Sequence, residues 1–319
     1  MINKKRLIKT FTDLVKIDSE SRNEVDVARY IKNKLNKLGI KYKIDKSAVL
    51  TKSNHGNIIA KLGSKKNLPT ILLSSHMDTV TNGLGIKPVI KRDSITSDGR
   101  TILGADDKSG LAIILETLEI LKRKKLNHYN VEAAITTCEE IGLLGAKFLD
   151  YNLLNSREGI VLDSTSPERL VYKGPSSDYF NIIVQGVEAH SGINPEKGIS
   201  SITASADIIS KMRTGRINSN STINIGKING GSAINIVPGR TEINCEIRSH
   251  NENTIKIELG KIKKIIENVN KKYKKINKKF NAKIKINRIY DSINIPKNSL
   301  IIKNILKTCK QFDYKIDLV

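Results

Sequence analysis

The stretch TILLSSHMDTV, residues 70–80, decides the fold of this chain. Its apolar run is of the kind that is buried on both faces of a sheet, so it predicts a core strand over 70–76. His76 and Asp78 follow just past the carboxyl end of that strand, which is where open α/β sheets place their ligands. A ring nitrogen of His76 can bind a metal while Asp78 orients the imidazole. Taken alone, the pattern fits a hydrogen-bonded surface histidine better.

A second acidic motif is GADDKSG at 104–110, in which a turn of small residues delivers two carboxylates to the start of a predicted helix. Helix capping and the helix dipole explain one acidic residue at such a position. They explain the adjacent pair, Asp106 and Asp107, less well. The pair therefore indicates a task other than capping.

Two further strand ends carry carboxylates. In CEEIGLLGA, Glu139 and Glu140 directly follow an apolar strand predicted over 131–138, and Asp163 ends the next apolar run. Paired acids at a buried strand end repel each other unless a cation compensates. In isolation, an exposed acidic loop would explain the glutamates, and a turn or helix cap would explain Asp163.

The candidate residues at these strand ends are stronger evidence for a functional site together than each is separately. If the strands are parallel, their carboxyl ends converge on one edge of the sheet, and so do the histidine and the acidic groups. Carboxylate and imidazole ligands without a thiolate suit zinc, manganese or cobalt in a hydrolytic centre. The sequence therefore predicts a metallohydrolase.

Strands alternate with helices through the first half of the chain, which predicts an α/β layer structure. After about 174 the pattern changes to two helices against an antiparallel sheet, typical of an inserted α+β domain. We expect a catalytic domain at 1–174 plus 291–319 and an inserted domain at 175–290. The predicted helices are 3–17, 23–38, 107–124, 142–149, 198–213, 254–274 and 298–311, and the strands lie near 40 and at 57–62, 70–76, 131–138, 159–163, 179–186, 222–228, 241–248 and 282–289.

Composition restricts the class of protein. The 319 residues are 39% hydrophobic and contain no tryptophan, and no apolar run reaches membrane-spanning length. Polar residues interrupt the stretch that an export signal would need, so we expect a cytoplasmic protein without a membrane partner. Cys138, Cys245 and Cys309 are widely spaced, as reduced thiols are.

A formal net charge of +23 raises the question of nucleic-acid binding. The lysines are spread along the whole chain, and the one dense tract, 261–280, has apolar residues at helical spacing. That pattern favours an amphipathic helix with a solvated face. We expect no nucleic-acid partner, and a steep salt dependence of polynucleotide binding would be the sign of the alternative.

Six motifs resemble, in order and spacing, the peptidase T-like members of a large di-zinc hydrolase clan that also contains aminoacylases, carboxypeptidases and succinyl-diaminopimelate desuccinylase. The resemblance covers nearly the entire chain and implies a three-layer αβα zinc-peptidase domain with an inserted, ferredoxin-like lid or dimerisation domain. The motifs are SSHMDTV, TILGADDKSGLA, TTCEEIGLLGAK, VLDS, EAHSGINPEKGISSI and GGSAINIVPGR.

The resemblance also implies residue roles. Two zinc ions would share Asp106 as a bridging ligand, with His76 and Asp163 on one ion and Glu140 on the other. Glu139 would be the general base that takes the proton of the attacking water, a role that suits a free carboxylate beside metal. Asp78 would orient His76.

The inserted domain would supply three more residues by the same resemblance. His190 would swing toward the oxyanion on closure. Asn235 and Arg248 would hold the terminal carboxylate of the substrate, although an arginine at a strand end is also typical of a surface ion pair.

One departure from the family pattern concerns the metals. The family places its remaining ligand, a histidine, near the C-terminus, and no histidine follows Arg288 here. Neither His128 nor His250 sits where that ligand belongs. We therefore expect one tightly bound Zn2+, with Co2+ or Mn2+ as alternatives, and impaired activity.

The leading interpretation is an aminopeptidase that removes the N-terminal residue from short peptides such as tripeptides. The alternatives are an N-acyl-amino-acid amidohydrolase of the same clan and a non-catalytic, truncated remnant. The expected partners are a short peptide substrate and a second copy of the chain, paired through the inserted domain.

Overall fold

The computed structural model describes residues 2–63 and 68–319. They form two compact units, Met1–Pro167 and Glu168–Val319. No helix among these residues is long and apolar enough to cross a membrane.

The first unit alternates helices and strands, as the sequence predicts. Asn3 begins the first helix by accepting a hydrogen bond from the amide of Arg6. Its elements are α1 (Lys4–Val15), α2 (Val25–Lys37), β1 (Lys41–Ile44), α3 (Ala48–Thr51), β2 (Ile58–Leu62), β3 (Thr70–His76), β4 (Val89–Ile90), β5 (Ile95–Thr96), α4 (Ala105–Lys124), β6 (Asn130–Thr136), α5 (Leu144–Lys147), a 3-10 turn (Tyr151–Leu153) and β7 (Glu158–Val161).

A five-stranded mixed sheet forms the centre of this unit, in the order β1-β2-β6-β3-β7. β3 pairs in parallel with both β6 and β7, whereas β1 and β2 are antiparallel to their neighbours. In the β3–β6 register His76 lies opposite Thr136, and in the β3–β7 register Ser74 lies opposite Val161. The carboxyl ends of the three parallel strands therefore meet at one edge.

Apolar side chains cover both faces of the sheet. On one face Leu14, Ile31 and Leu115, from α1, α2 and α4, are buried in a cluster with residues of the strands. On the other face Leu149 packs with Ile59 and Ala134. These layers form the predicted three-layer αβα arrangement.

The second unit is built on a separate antiparallel sheet, in the order β11-β12-β13-β10-β14. One strand of this sheet, β11, is not predicted from the sequence. The helix expected at 198–213 is shorter in the structure, since it begins after the Ser200 cap and ends at Ile209. The elements are β8 (Arg169–Leu170), β9 (Lys173–Gly174), β10 (Ser176–Gln185), a 3-10 turn (Pro195–Lys197), α6 (Ser201–Ile209), β11 (Gly215–Asn218), β12 (Ser221–Gly230), β13 (Arg240–Ser249), α7 (Glu252–Lys274), β14 (Asn281–Tyr290), β15 (Ile293–Asn294), α8 (Leu300–Gln311) and β16 (Asp317–Leu318).

Helix α7 contains much of the basic tract. Its buried side chains recur every three or four residues and join the core that β10 and β13 also line, while its lysines lie on the other side. The buried side chains are Ile255, Glu258, Leu259, Ile262, Ile266, Val269 and Tyr273.

Short strand pairs join the two segments that flank the inserted region. β9 pairs with β15, and β8 pairs with β16, so residues 168–174 and 291–319 lie together. Both segments belong to the second compact unit. The domain limits 1–174 plus 291–319 and 175–290 stay a prediction.

Candidate metal centre

His76 lies at the carboxyl end of β3 and is buried, with 2% of its surface exposed. Its Nδ1 lies 3.0 Å from the carbonyl oxygen of Asp78 and 3.3 Å from the carboxylate Oδ1 of the same residue. With Nδ1–H donating to Asp78, the other nitrogen, Nε2, presents its lone pair at the sheet edge. This is the orientation that a metal-ligating histidine needs.

Three carboxylates surround Nε2 of His76. Its distances to oxygens of Asp106, Glu139 and Asp163 are 3.0, 3.9 and 3.9 Å. Two sets of three ligand atoms lie within 4.8 Å of one another, one from His76, Asp106 and Glu140 and the other from His76, Glu139 and Asp163. The structure therefore brings five sequence-predicted residues together.

These spacings fit a divalent metal. Ligand atoms in a tetrahedral shell about 2.1 Å from zinc lie roughly 3.4 Å apart, and the distances around Nε2 of His76 bracket that value. Oxygen and imidazole donors without thiolate suit zinc, cobalt and manganese. The described residues thus contain a donor set that fits a divalent cation.

The turn that carries the two glutamates is held by Asp78, which is fully buried. Its carboxylate accepts hydrogen bonds from the backbone N–H groups of Glu139 (2.9 Å) and Glu140 (3.1 Å) and from the Ser21 hydroxyl (2.6 Å). Asp78 therefore orients the imidazole of His76 and also fixes the backbone of the acidic pair.

Asp106 and Asp107 begin α4 with a non-helical backbone and are joined by a cis peptide bond. Asp107 is buried and accepts a hydrogen bond from the amide of Gly110, a local cap. Asp106 is exposed instead and reaches His76. The two adjacent acids thus have different surroundings.

The electrostatics of the centre are those of crowded acids around an imidazole. Burial alone lowers the pKa of His76, but hydrogen bonds with Asp106 and Asp78 outweigh it and raise the pKa to about 11. Burial raises the pKa of Asp163 to about 7, with the carboxylate of Asp106 adding to the rise against the opposing effect of His76. Burial likewise raises the pKa of Glu139 and of Glu140. A bound cation would replace the proton on His76 and relieve this repulsion.

The predicted residues of the second unit fall into two places. His190 and Asn235 lie in adjacent exposed loops, since the amide of Ser191 donates to the carbonyl of Asn235 at 3.0 Å. β13 begins at Arg240, shortly after the loop that contains Asn235, and Arg248 lies near the other end of this strand. The eight residues from Arg240 to Arg248 correspond to about 26 Å of strand. The Nε of Arg248 donates to Glu246 at 2.7 Å, so it makes a surface ion pair.

The remaining histidines do not join the centre within the first unit. His128 is half-buried and precedes the amino end of β6, whereas Glu139 follows the carboxyl end of the same strand. His55 is buried and holds the carbonyl of Gly56 and the ammonium of Lys32.

Comparison with known proteins identifies the architecture. Residues 57–191 match the model of peptidase family M28, and residues 176–274 match a peptidase dimerisation domain. The uncharacterised protein YqjE of Bacillus subtilis is 40% identical over 268 residues, covering 84% of this chain and 72% of that protein. Curated peptidase T sequences are matched over 53–60% of their own length.

Two solved structures decide the family. Aminopeptidase PepT from Bacillus cereus is 36% identical, with a TM-score of 0.90 over 99% of this chain and 84% of that one. A tripeptidase from Staphylococcus aureus is 34% identical, with a TM-score of 0.92 over 100% of this chain and 84% of that one. This chain belongs to the peptidase T-like metallopeptidases.

In this peptidase T-like chain, sequence reasoning overlooked three residues beside the centre. Lys108 is fully buried, and its ammonium donates to the hydroxyl of Ser19 (2.6 Å) and the carbonyl of Met77 (2.5 Å). Glu24 and Ser21 come from the segment between α1 and α2. Lys108 could have been identified as a candidate from the sequence, because it directly follows Asp106 and Asp107 in GADDKSG. Nothing in the local sequence marks Glu24, since an acid before a helix usually serves as a cap.

Proposed function

We propose that this chain is a metal-dependent aminopeptidase that removes the N-terminal residue of short peptides, tripeptides among them. The convergence of His76, Asp106, Glu139, Glu140 and Asp163 at one sheet edge carries the proposal. The likeness to the aminopeptidase and tripeptidase structures supports the substrate class. We place the enzyme in the cytoplasm.

The proposed metal ligands are His76 and the acidic residues that lie around it. His76, Asp106 and Asp163 would hold one zinc ion, and Asp106 with Glu140 would contribute to a second. Bound zinc would lower the pKa of a water molecule and polarise the scissile carbonyl. Asp78 would hold the imidazole and the backbone of the acidic turn, as its hydrogen bonds indicate.

Glu139 would act as the general base. Its side chain is a quarter exposed, and burial raises its pKa above the ordinary value, which brings its basicity closer to that of a group working near neutral pH. It would take the proton of the attacking water and pass it to the leaving amine. His190 would act on the oxyanion, and Asn235 and Arg248 would hold the terminal carboxylate of the substrate. The match to a dimerisation domain supports a homodimer.

The test uses the 319-residue chain loaded with zinc, a tripeptide with a free amino group, and the same tripeptide acetylated at that group. We expect bound zinc, release of the N-terminal residue from the free peptide, and no turnover of the acetylated one. The variant His76→Ala should lose both zinc and turnover. Hydrolysis of the acetylated peptide alone would instead indicate an N-acyl-amino-acid amidohydrolase, and absence of bound zinc would refute the metal site.

A further inference from the structure

Glu24 is a fully buried carboxylate that does not cap the helix it precedes. It occupies the N-cap position of α2, yet its side chain makes no capping bond there. Instead Oε1 accepts hydrogen bonds from the backbone N–H groups of Arg22 and Cys138, both at 3.0 Å, and Oε2 accepts from the Ser53 hydroxyl at 2.5 Å. A buried carboxylate with such bonds fixes the groups that it contacts.

Cys138 is the residue at which the backbone turns from β6 into the acidic pair. Its φ of 53° lies in the left-handed region, which is unfavourable for a residue other than glycine. The hydrogen bond to Glu24 holds its amide in this turn. The next two amides, of Glu139 and Glu140, are held by Asp78. Two buried carboxylates thus fix three successive N–H groups.

One chain segment, residues 19–24, reaches both carboxylate systems. It supplies Glu24 itself and the Ser21 hydroxyl that donates to Asp78 at 2.6 Å. The same segment is fixed to the end of β3, since the amide of Ser21 donates to the carbonyl of Thr79 at 3.2 Å. The buried ammonium of Lys108 donates to Ser19, which places a positive charge among these acids.

We propose that Glu24 is a positioning residue for the metal centre. It holds the 138–140 turn so that Glu139 and Glu140 face His76, and loss of its acceptor oxygens weakens metal binding. This inference rests on the proposed function, because it takes the acidic turn to be part of a metal site.

The test compares three variants by zinc affinity, measured in competition with a chromophoric chelator, and by melting temperature. Glu24→Met removes the acceptors at similar volume and should weaken binding of the zinc ion that Glu140 helps to hold about 10- to 100-fold. Glu24→Gln keeps one acceptor oxygen for the two amides and can donate to Ser53, so its affinity should stay close to that of the wild type.

Glu132→Met is the matched control. Glu132 is a buried carboxylate near the amino end of β6, and it also accepts hydrogen bonds from two backbone amides, of Asn155 and Ser156, and from one serine hydroxyl. Its loss should lower the melting temperature while zinc affinity stays unchanged. A merely structural role for Glu24 would likewise give Glu24→Met a lower melting temperature and an unchanged zinc affinity.

Two results would overturn the inference: wild-type zinc affinity in Glu24→Met, or an equal weakening in Glu132→Met. Should Glu24→Met not fold, Ser53→Ala decides, because it removes the hydrogen bond that orients Oε2 of Glu24 and leaves the other residues of the turn unchanged. Weakened zinc binding in Ser53→Ala supports the role, and unchanged binding refutes it. A wild-type chain that binds no zinc would refute the proposed metal site instead.

Discussion

Replacing Glu139 and Glu140 one at a time tests which of the two is the general base and which is a metal ligand. Distance alone does not distinguish them, since Glu139 forms a ligand set with Asp163 and Glu140 forms one with Asp106, both including His76. The variants Glu139→Gln and Glu140→Gln keep side-chain volume and remove one carboxylate each. They therefore report on chemistry more than on packing.

The expected magnitudes differ between the two variants. A general base typically contributes about 10²- to 10⁴-fold, so Glu139→Gln should lower kcat by that factor, or roughly 2.7–5.5 kcal/mol of barrier. Its zinc affinity should change little, because the remaining ligands keep their carboxylates. Glu140→Gln should weaken binding of the second zinc ion, since a neutral amide replaces an anionic ligand of that ion. The backbone bonds to Asp78 remain available in both variants.

The assay measures tripeptide hydrolysis by chromatography at saturating zinc and zinc affinity by chelator competition. Glu158→Gln is the control, since Glu158 is exposed and lies at the amino end of β7, away from the sheet edge where His76 and the acidic residues meet. Loss of zinc in Glu139→Gln, with zinc kept and turnover lost in Glu140→Gln, would reverse the assignment and refute the reasoning.

Three further predictions follow from the structure. The 319-residue chain should retain about one zinc after dialysis, because the second ion would have only Asp106 and Glu140 as its own ligands among the described residues. Two retained zinc ions would contradict this. Burial tends to raise the pKa of Glu132, but Lys61 and the amides at 155–156 hold it below its ordinary 4.5. The ionised carboxylate therefore stabilises the fold above pH 4.5, and this stabilisation is lost as the pH falls through the lower pKa of the folded state. Urea unfolding should therefore show that Glu132→Gln is less stable than wild type at pH 7 and that the gap closes in acid. A methyl group at Gly145 would lie 2.0 Å from the carbonyl of Thr137, so Gly145→Ala should lower the free energy of unfolding by about 1–3 kcal/mol, whereas Gly260→Ala, with open space around it, should not lower it.

Much of the architecture follows from periodicity in the sequence. The apolar run before His76 predicts a buried strand because only a strand covered on both faces tolerates such a run, and the structure has β3 there. The three- and four-residue spacing of apolar residues predicts α7 within one basic tract, because burial of one stripe determines the helix face. The convergence of the acidic residues follows from the parallel pairing of β3, β6 and β7.

The parts that escape prediction depend on contacts between distant residues. Glu24 and Cys138 are 114 positions apart, and an acid before a helix has an ordinary local explanation in capping. The short strand β11 carries few apolar residues, so its pairing with β12 leaves no alternating pattern to detect. The role of Asp78 in holding both glutamate amides likewise depends on how strand ends meet in space.

The buried turn at Cys138 also affects the reactivity of its thiol. Burial and, to a smaller extent, the nearby charge of Glu24 together raise the pKa of Cys138 to about 12. Thiolates, not thiols, react with alkylating agents and oxidants, so the sulfur of Cys138 is unreactive while the turn is closed. The rate of its alkylation would therefore report how often the segment that carries Glu139 and Glu140 opens locally, and the thiol serves as a probe of this turn.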